Sequence, residues 1–104
     1  INIAICKLFN KDNGIDILIN NAGVFNLEDR NRMFRKYDLQ KYNQLWDTNF
    51  KGTVHLTNGI AEAMNQKKIK GNIINIASIC GIQIKFQYTP YGMSKAAILE
   101  YTSL

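Results

Sequence analysis

Gly71-Asn72-Ile73-Ile74-Asn75-Ile76-Ala77-Ser78 is the stretch that decides the fold. After a Gly-Asn turn signal, the apolar run Ile73 to Ala77 is too short for a helix, so it is expected to be a buried strand ending at Ser78. Upstream, Leu39, Tyr42, Trp46, Phe50, Thr53, Leu56, Ile60 and Met64 recur at gaps of three or four. That period predicts one long amphipathic helix from an Asp38 N-cap to about Lys67. Further upstream, Ile15-Asp16-Ile17-Leu18-Ile19 reads as a strand buried on both faces. Strand, helix, strand is a βαβ unit, nearly always a right-handed crossover between parallel strands. Parallel strands bring their carboxyl ends to one edge of the sheet. Asn20-Asn21-Ala22-Gly23 and Ser78 are therefore expected to open into one crevice, the place where such sheets bind ligands.

Downstream of Ser78, a loop containing Ile82, Ile84 and Phe86 leads to Thr89-Pro90, a helix-start signal. Tyr91 and Lys95 then lie one turn apart on one face, followed by a stripe of Ala97, Tyr101 and Leu104. An ammonium held beside a phenol favours the phenolate. A free phenol titrates at about 10, and bringing one to neutrality takes about 4 kcal/mol of differential stabilisation. Tyr91 is thus a candidate general acid or base. Tyr-x-x-x-Lys is not selective by itself, because Tyr37 and Lys41 match it too. That second pair lacks a strand-end serine thirteen residues upstream and a Thr-Pro start, and is assigned to solvent and a loop.

Asn49 falls on the buried side of the long helix, where an amide needs partners for up to four hydrogen bonds. It is expected to anchor backbone or to hold an ordered water. Gly52 and Gly59 are expected to allow close packing of the helix on the sheet. His55, the only histidine, has no partner at metal or catalytic spacing and reads as an ordinary helix residue. Ile3 to Phe9 reads as the end of a helix stopped at Lys11–Gly14, and Asn26 to Lys36 as a polar loop.

With 104 residues, 46% hydrophobic and 20% charged, the chain fits at most one globular domain. It begins at Ile1 and its last helical pattern still runs at Leu104. We therefore expect an internal piece of a longer protein, whose apolar faces need further partners. The net charge of +5 is spread along the chain without a nucleic-acid-binding module, so it reads as solvated surface. Cys6 and Cys80 lack metal-ligand spacing and suit reduced, buried thiols in a cytoplasmic protein. No apolar run approaches the roughly 20 residues of a membrane span, and no metal or membrane partner is expected.

Four stretches together resemble the short-chain dehydrogenases/reductases. They are Asn20-Asn21-Ala22-Gly23 after an Asp-Ile-Leu-Ile strand, Thr48-Asn49-Phe50-Lys51-Gly52, Gly71 through Ser78, and Tyr91-Gly92-Met93-Ser94-Lys95-Ala96-Ala97. They cover nearly the whole chain in the family's order. The resemblance implies an α/β fold, part of a Rossmann-like doubly wound parallel sheet that is three-layered in the parent. Residues 1–104 would be the central part of a single NAD(P)-binding domain. It further implies hydride transfer between NAD or NADP and a secondary alcohol or ketone. Tyr91 would move the proton, Lys95 would bind the nicotinamide ribose and favour the phenolate, Ser78 would orient the substrate oxygen, and Asn49 would hold a relay water. Asn21, Ala22 and Gly23 would contact the cofactor, while Asn20 mainly braces the sheet. A homodimer or homotetramer is implied as well. Where many relatives carry two serines, this chain has Ala77-Ser78. The family's glycine-rich phosphate loop and later substrate-pocket segments have no counterpart here. Taken alone, the 104 residues are therefore expected to be inert and to bind no cofactor.

Overall fold

The computed structural model describes residues 14–25, 38–83 and 89–104. The expectations for Ile3–Phe9, Cys6, residues 11–13 and 26–36, Tyr37, Ile84 and Phe86 lie outside the described residues. Strand β1 (Ile17–Asn20) is followed by helix α1 (Leu39–Trp46), a π-helical segment (Asp47–Gly52) and helix α2 (Thr53–Gln66). Strand β2 (Asn72–Asn75), a 3-10 turn (Ile79–Gly81) and helix α3 (Thr89–Ser103) complete the order. β1 and β2 pair in parallel, with Leu18 opposite Ile73 and Asn20 opposite Asn75. The expected βαβ unit is present.

The sheet is covered on one side. Leu18 packs with Ile15, Leu56, Ala63 and Ile69 around buried Ile60 and Met64. On the same side, Asn20 donates to Thr57 of α2 and Asn75 donates to Thr102 of α3. Ile17, Ile19, Ile74 and Ile76 point the other way and remain 43–58% exposed. This corrects the expectation of strands buried on both faces. Continuous apolar runs record what a strand is suited to meet, and here one face meets neither α2 nor α3.

The long helix is also not uniform. Asp38 caps it, accepting from the backbone of Gln40 at 3.0 Å and Lys41 at 3.4 Å. The winding then loosens over Asp47–Gly52 before α2 resumes. Leu45, Asn49 and Thr53, spaced by four, are all buried. Four-residue steps drift around an α-helix, but the wider π turn keeps them on one side. Leu39, placed on the apolar stripe by the period, is instead 72% exposed. A Cβ on Gly52 would meet the Asp47 carbonyl oxygen at 3.3 Å, so its close neighbour is its own π turn rather than the sheet.

α2 ends in a Schellman arrangement. The Lys68 amide donates to the Asn65 carbonyl and the Ile69 amide to the Met64 carbonyl, with Lys68 at φ 56°. Gly71 follows, where a Cβ would fall 2.6 Å from the Met64 side chain and 2.8 Å from the Asp16 carbonyl oxygen. α3 starts at Thr89 as expected, and its buried positions are Pro90, Gly92, Ser94, Lys95 and Ile98. Leu104 is 96% exposed, so the stripe predicted to end there stops short.

Candidate active site

The carboxyl ends of both strands are joined by side-chain amides. Asn20 is 7% exposed, and its Nδ2 donates to Asn75 Oδ1 and to Thr57 Oγ1, each at 2.8 Å. Asn75 passes the chain on to Thr102 at 3.0 Å, and Thr102 donates to the Ile98 carbonyl. Both strands, α2 and α3 are thereby tied through polar groups with partners, from buried Asn20 through half-buried Thr57 and Asn75 to Thr102 at the surface. The bracing expected of Asn20 is its observed contact set.

Beyond Asn20 the chain turns outward. Asn21 to Phe25 are exposed, and Val24 is clasped from behind by Asn49. The Val24 amide donates to Asn49 Oδ1 at 2.7 Å, while Asn49 Nδ2 donates to the Val24 carbonyl at 2.9 Å. Asn49 is 1% exposed. Of the two roles considered for it, its side chain performs the anchoring of backbone. Its own carbonyl accepts from Thr53 Oγ1 at 3.2 Å. A cavity of about 230 Å³ lies behind the turn, lined by Asn20, Ala22 and residues of the π segment and α2.

Lys95 closes the other side. It is 5% exposed, its Nζ donates to the Ile76 carbonyl at 2.8 Å, and it stands 5.8 Å from the centroid of the Tyr91 ring. Burial holds the ammonium below the ordinary lysine value. A Cβ on Gly23 would come to 3.6 Å from Lys95 Nζ and 3.5 Å from Asn49 Oδ1. The glycine thus leaves open the space between the exposed turn and the ammonium. Phe25 meets the Tyr91 ring edge-on, with centroids 5.1 Å apart.

Ser78 caps the 3-10 turn after β2, its hydroxyl accepting from the Cys80 amide at 3.2 Å. That turn lies directly on α3. A Cβ on Gly81 would fall 2.8 Å from the backbone of Lys95 and Ala96. The structure therefore brings Asn49, Lys95, Tyr91 and the Asn21–Gly23 turn together, with Ser78 clamped to the same helix. Among the described residues no hydrogen bond joins Ser78 to Tyr91. Two contributors are not apparent from the sequence, Phe25 against the tyrosine ring and Ser94, whose hydroxyl lies between the Asn49 amide and the Tyr91 carbonyl. Asking what a buried Asn49 amide donates to would have found Ser94. His55 and Lys41 are exposed. Cys80 is a half-buried free thiol. Among the described residues no three His, Cys, Asp or Glu side chains are grouped to hold a metal, and no helix is long and apolar enough to cross a membrane.

The sequence profile of the short chain dehydrogenase family matches residues 3–104. The chain belongs to the short-chain dehydrogenase family. It is 34% identical over 88 residues to the acetoacetyl-CoA reductase of an Acinetobacter species, covering 85% of this chain and 34% of that protein. It superposes on a gluconate 5-dehydrogenase from Burkholderia cenocepacia, solved in complex with NADP and tartrate, with a TM-score of 0.85 and 27% identity. That match covers 97% of this chain and 38% of the other. A 4-hydroxyisoleucine dehydrogenase complexed with NADH and succinate gives a TM-score of 0.82 and 28% identity, over 96% of this chain and 41% of the other. The short-chain dehydrogenase fold is Rossmann-like α/β, and the described residues form a parallel βαβ core with its following helix. The chain spans about a third of the length of the curated relatives it matches.

Proposed function

We propose that residues 1–104 are the central part of a single Rossmann-like domain in an NAD(P)-dependent oxidoreductase that interconverts a secondary alcohol and a ketone. The observation that carries this reading is the buried Lys95 ammonium beside the Tyr91 ring, facing the gap left by Gly23. A sugar hydroxyl is the group this reading assigns to that gap. The exposed Asn21–Gly23 turn lets a ribose approach the backbone, and Lys95 keeps ammonium protons beyond the one given to Ile76. A bound nicotinamide would supply or accept the hydride. In the reducing direction Tyr91 gives its phenolic proton to the carbonyl oxygen as the carbonyl carbon receives the hydride, yielding the alcohol. Lys95 stabilises the phenolate left behind, and Ser78 hydrogen-bonds the substrate oxygen. Asn49 fixes the turn and, through a water, would help return a proton. The structural relatives carry NADP in one case and NADH in the other, which supports either cofactor. A homodimer or homotetramer in the cytoplasm completes the proposal.

Tyr91→Phe in the full-length protein tests it, with nicotinamide absorbance followed over a panel of ketones and secondary alcohols. Loss of the proton donor should lower turnover by about 10²- to 10⁴-fold. Near-normal turnover would remove Tyr91 from the mechanism.

A further inference from the structure

Ser94 is completely buried, with 0% exposure, one residue before Lys95. Its hydroxyl accepts from Asn49 Nδ2 at 3.2 Å and donates to the Tyr91 carbonyl at 2.7 Å. The polarity of this chain is set at its far end. The Val24 amide can only donate, which fixes Asn49 Oδ1 as acceptor and turns Nδ2 toward Ser94. A hydroxyl that receives that amide proton spends its single proton on Tyr91.

Satisfying its neighbours is only part of what the hydroxyl does. Without it, Asn49 Nδ2 keeps the Val24 carbonyl for one proton and loses the partner of the other, while the Tyr91 carbonyl lies in a helix whose own ladder offers it a partner. What the hydroxyl adds is a connection. A side chain bonding back to the carbonyl three residues earlier bends and fixes its helical turn, and here it ties that turn to the π segment and the Val24 backbone. Building on the oxidoreductase reading above, we propose that Ser94 is a positioning residue for Tyr91. It couples the turn of α3 bearing the phenol, through Asn49, to the exposed turn at Asn21–Val24.

The test compares Ser94→Ala and Ser94→Cys with the parent in the full-length protein. Small misplacements of a reacting group are costly, so Ser94→Ala is expected to lower kcat roughly tenfold with KM for the carbonyl substrate little changed. Ser94→Cys, which fills similar space with a weak hydrogen-bonding group, should fall between the two. Wild-type kcat in Ser94→Ala, or a change confined to KM, overturns the proposal. Should Ser94→Ala fail to fold, Ser94→Cys is judged against the same outcomes. A second readout needs no turnover. With carbon-labelled tyrosine, the Tyr91 ring resonance, assigned by its loss in Tyr91→Phe, should move in the Ser94 variants of the protein without cofactor. An unmoved resonance overturns the coupling. Full turnover in Tyr91→Phe would instead sink the functional reading and leave this arm standing.

Discussion

Gly92 lies against the carbonyl of Cys80, where a Cβ would come within 2.7 Å of the oxygen. With Gly81 similarly close to Lys95 and Ala96, the join between the strand-end turn and α3 is made of backbone on backbone. This join holds Ser78 to the helix that carries Tyr91 and Lys95. Alanine in an open helix position is worth about 1 kcal/mol over glycine. Gly92→Ala is nevertheless expected to destabilise, by about 1–3 kcal/mol, because the obstacle is main chain. Urea denaturation of the full-length protein checks the sign.

Lys68 offers the opposite case. It occupies the left-handed position after α2, which costs a side-chain-bearing residue about 1–2 kcal/mol. Part of that returns on substitution by glycine, whose unfolded chain is freer. Lys68→Gly should therefore raise stability by about 0.5–1 kcal/mol, seen as a higher urea midpoint. Lys68 precedes β2, at the end of the strand opposite Ser78, so catalysis should be unchanged.

Lys95 links stability to pH. Burial lowers its folded-state value below 10.5, so between that lowered value and 10.5 the unfolded chain binds more protons than the folded one. Stability contributed by this group therefore rises with pH across the window, and at neutral pH the buried ammonium is a cost. Relative to Lys95→Met, the wild type should gain stability as pH increases toward 10.5. Urea midpoints of both proteins over a pH series measure the difference. A widening deficit for the wild type would contradict the burial argument.

The isolated 104 residues should bind no nicotinamide cofactor. Ile17, Ile19, Ile74 and Ile76 stand exposed, and the residues resembling the family contain no phosphate loop. Cofactor fluorescence during titration of NADH into the purified chain is expected to change only linearly. Saturation would show that Lys95 and the Asn21–Gly23 turn suffice.

The parts of this structure legible in sequence are those written as period or position. Short apolar runs flanking a long amphipathic period predicted β1, the helix and β2, and parallel strand order placed Asn20–Gly23 and Ser78 at one edge. Four-residue spacing put Tyr91 and Lys95 on one helical face. The π segment was hidden because Leu45, Asn49 and Thr53 follow an i, i+4 rule that a regular helix also uses. Ser94 was hidden because a serine in a helix reads as a surface residue until its partner amide is located. One-sided burial of the strands was hidden because apolar content reports suitability for a neighbour and not its presence.

The loosened winding at Asp47–Gly52 makes the two halves of the long helix separate in phase. Winding the same six residues as ordinary α-helix would turn them through about 100° more and swing everything upstream by that much about the axis relative to α2. Leu45 would leave its buried place, and Asn49 would no longer face Val24 and Ser94 together. The segment thus behaves as a timing mark in the chain. Substitutions on either side of it are tolerated or not according to chemistry, whereas a change in its winding is a change in which residues meet.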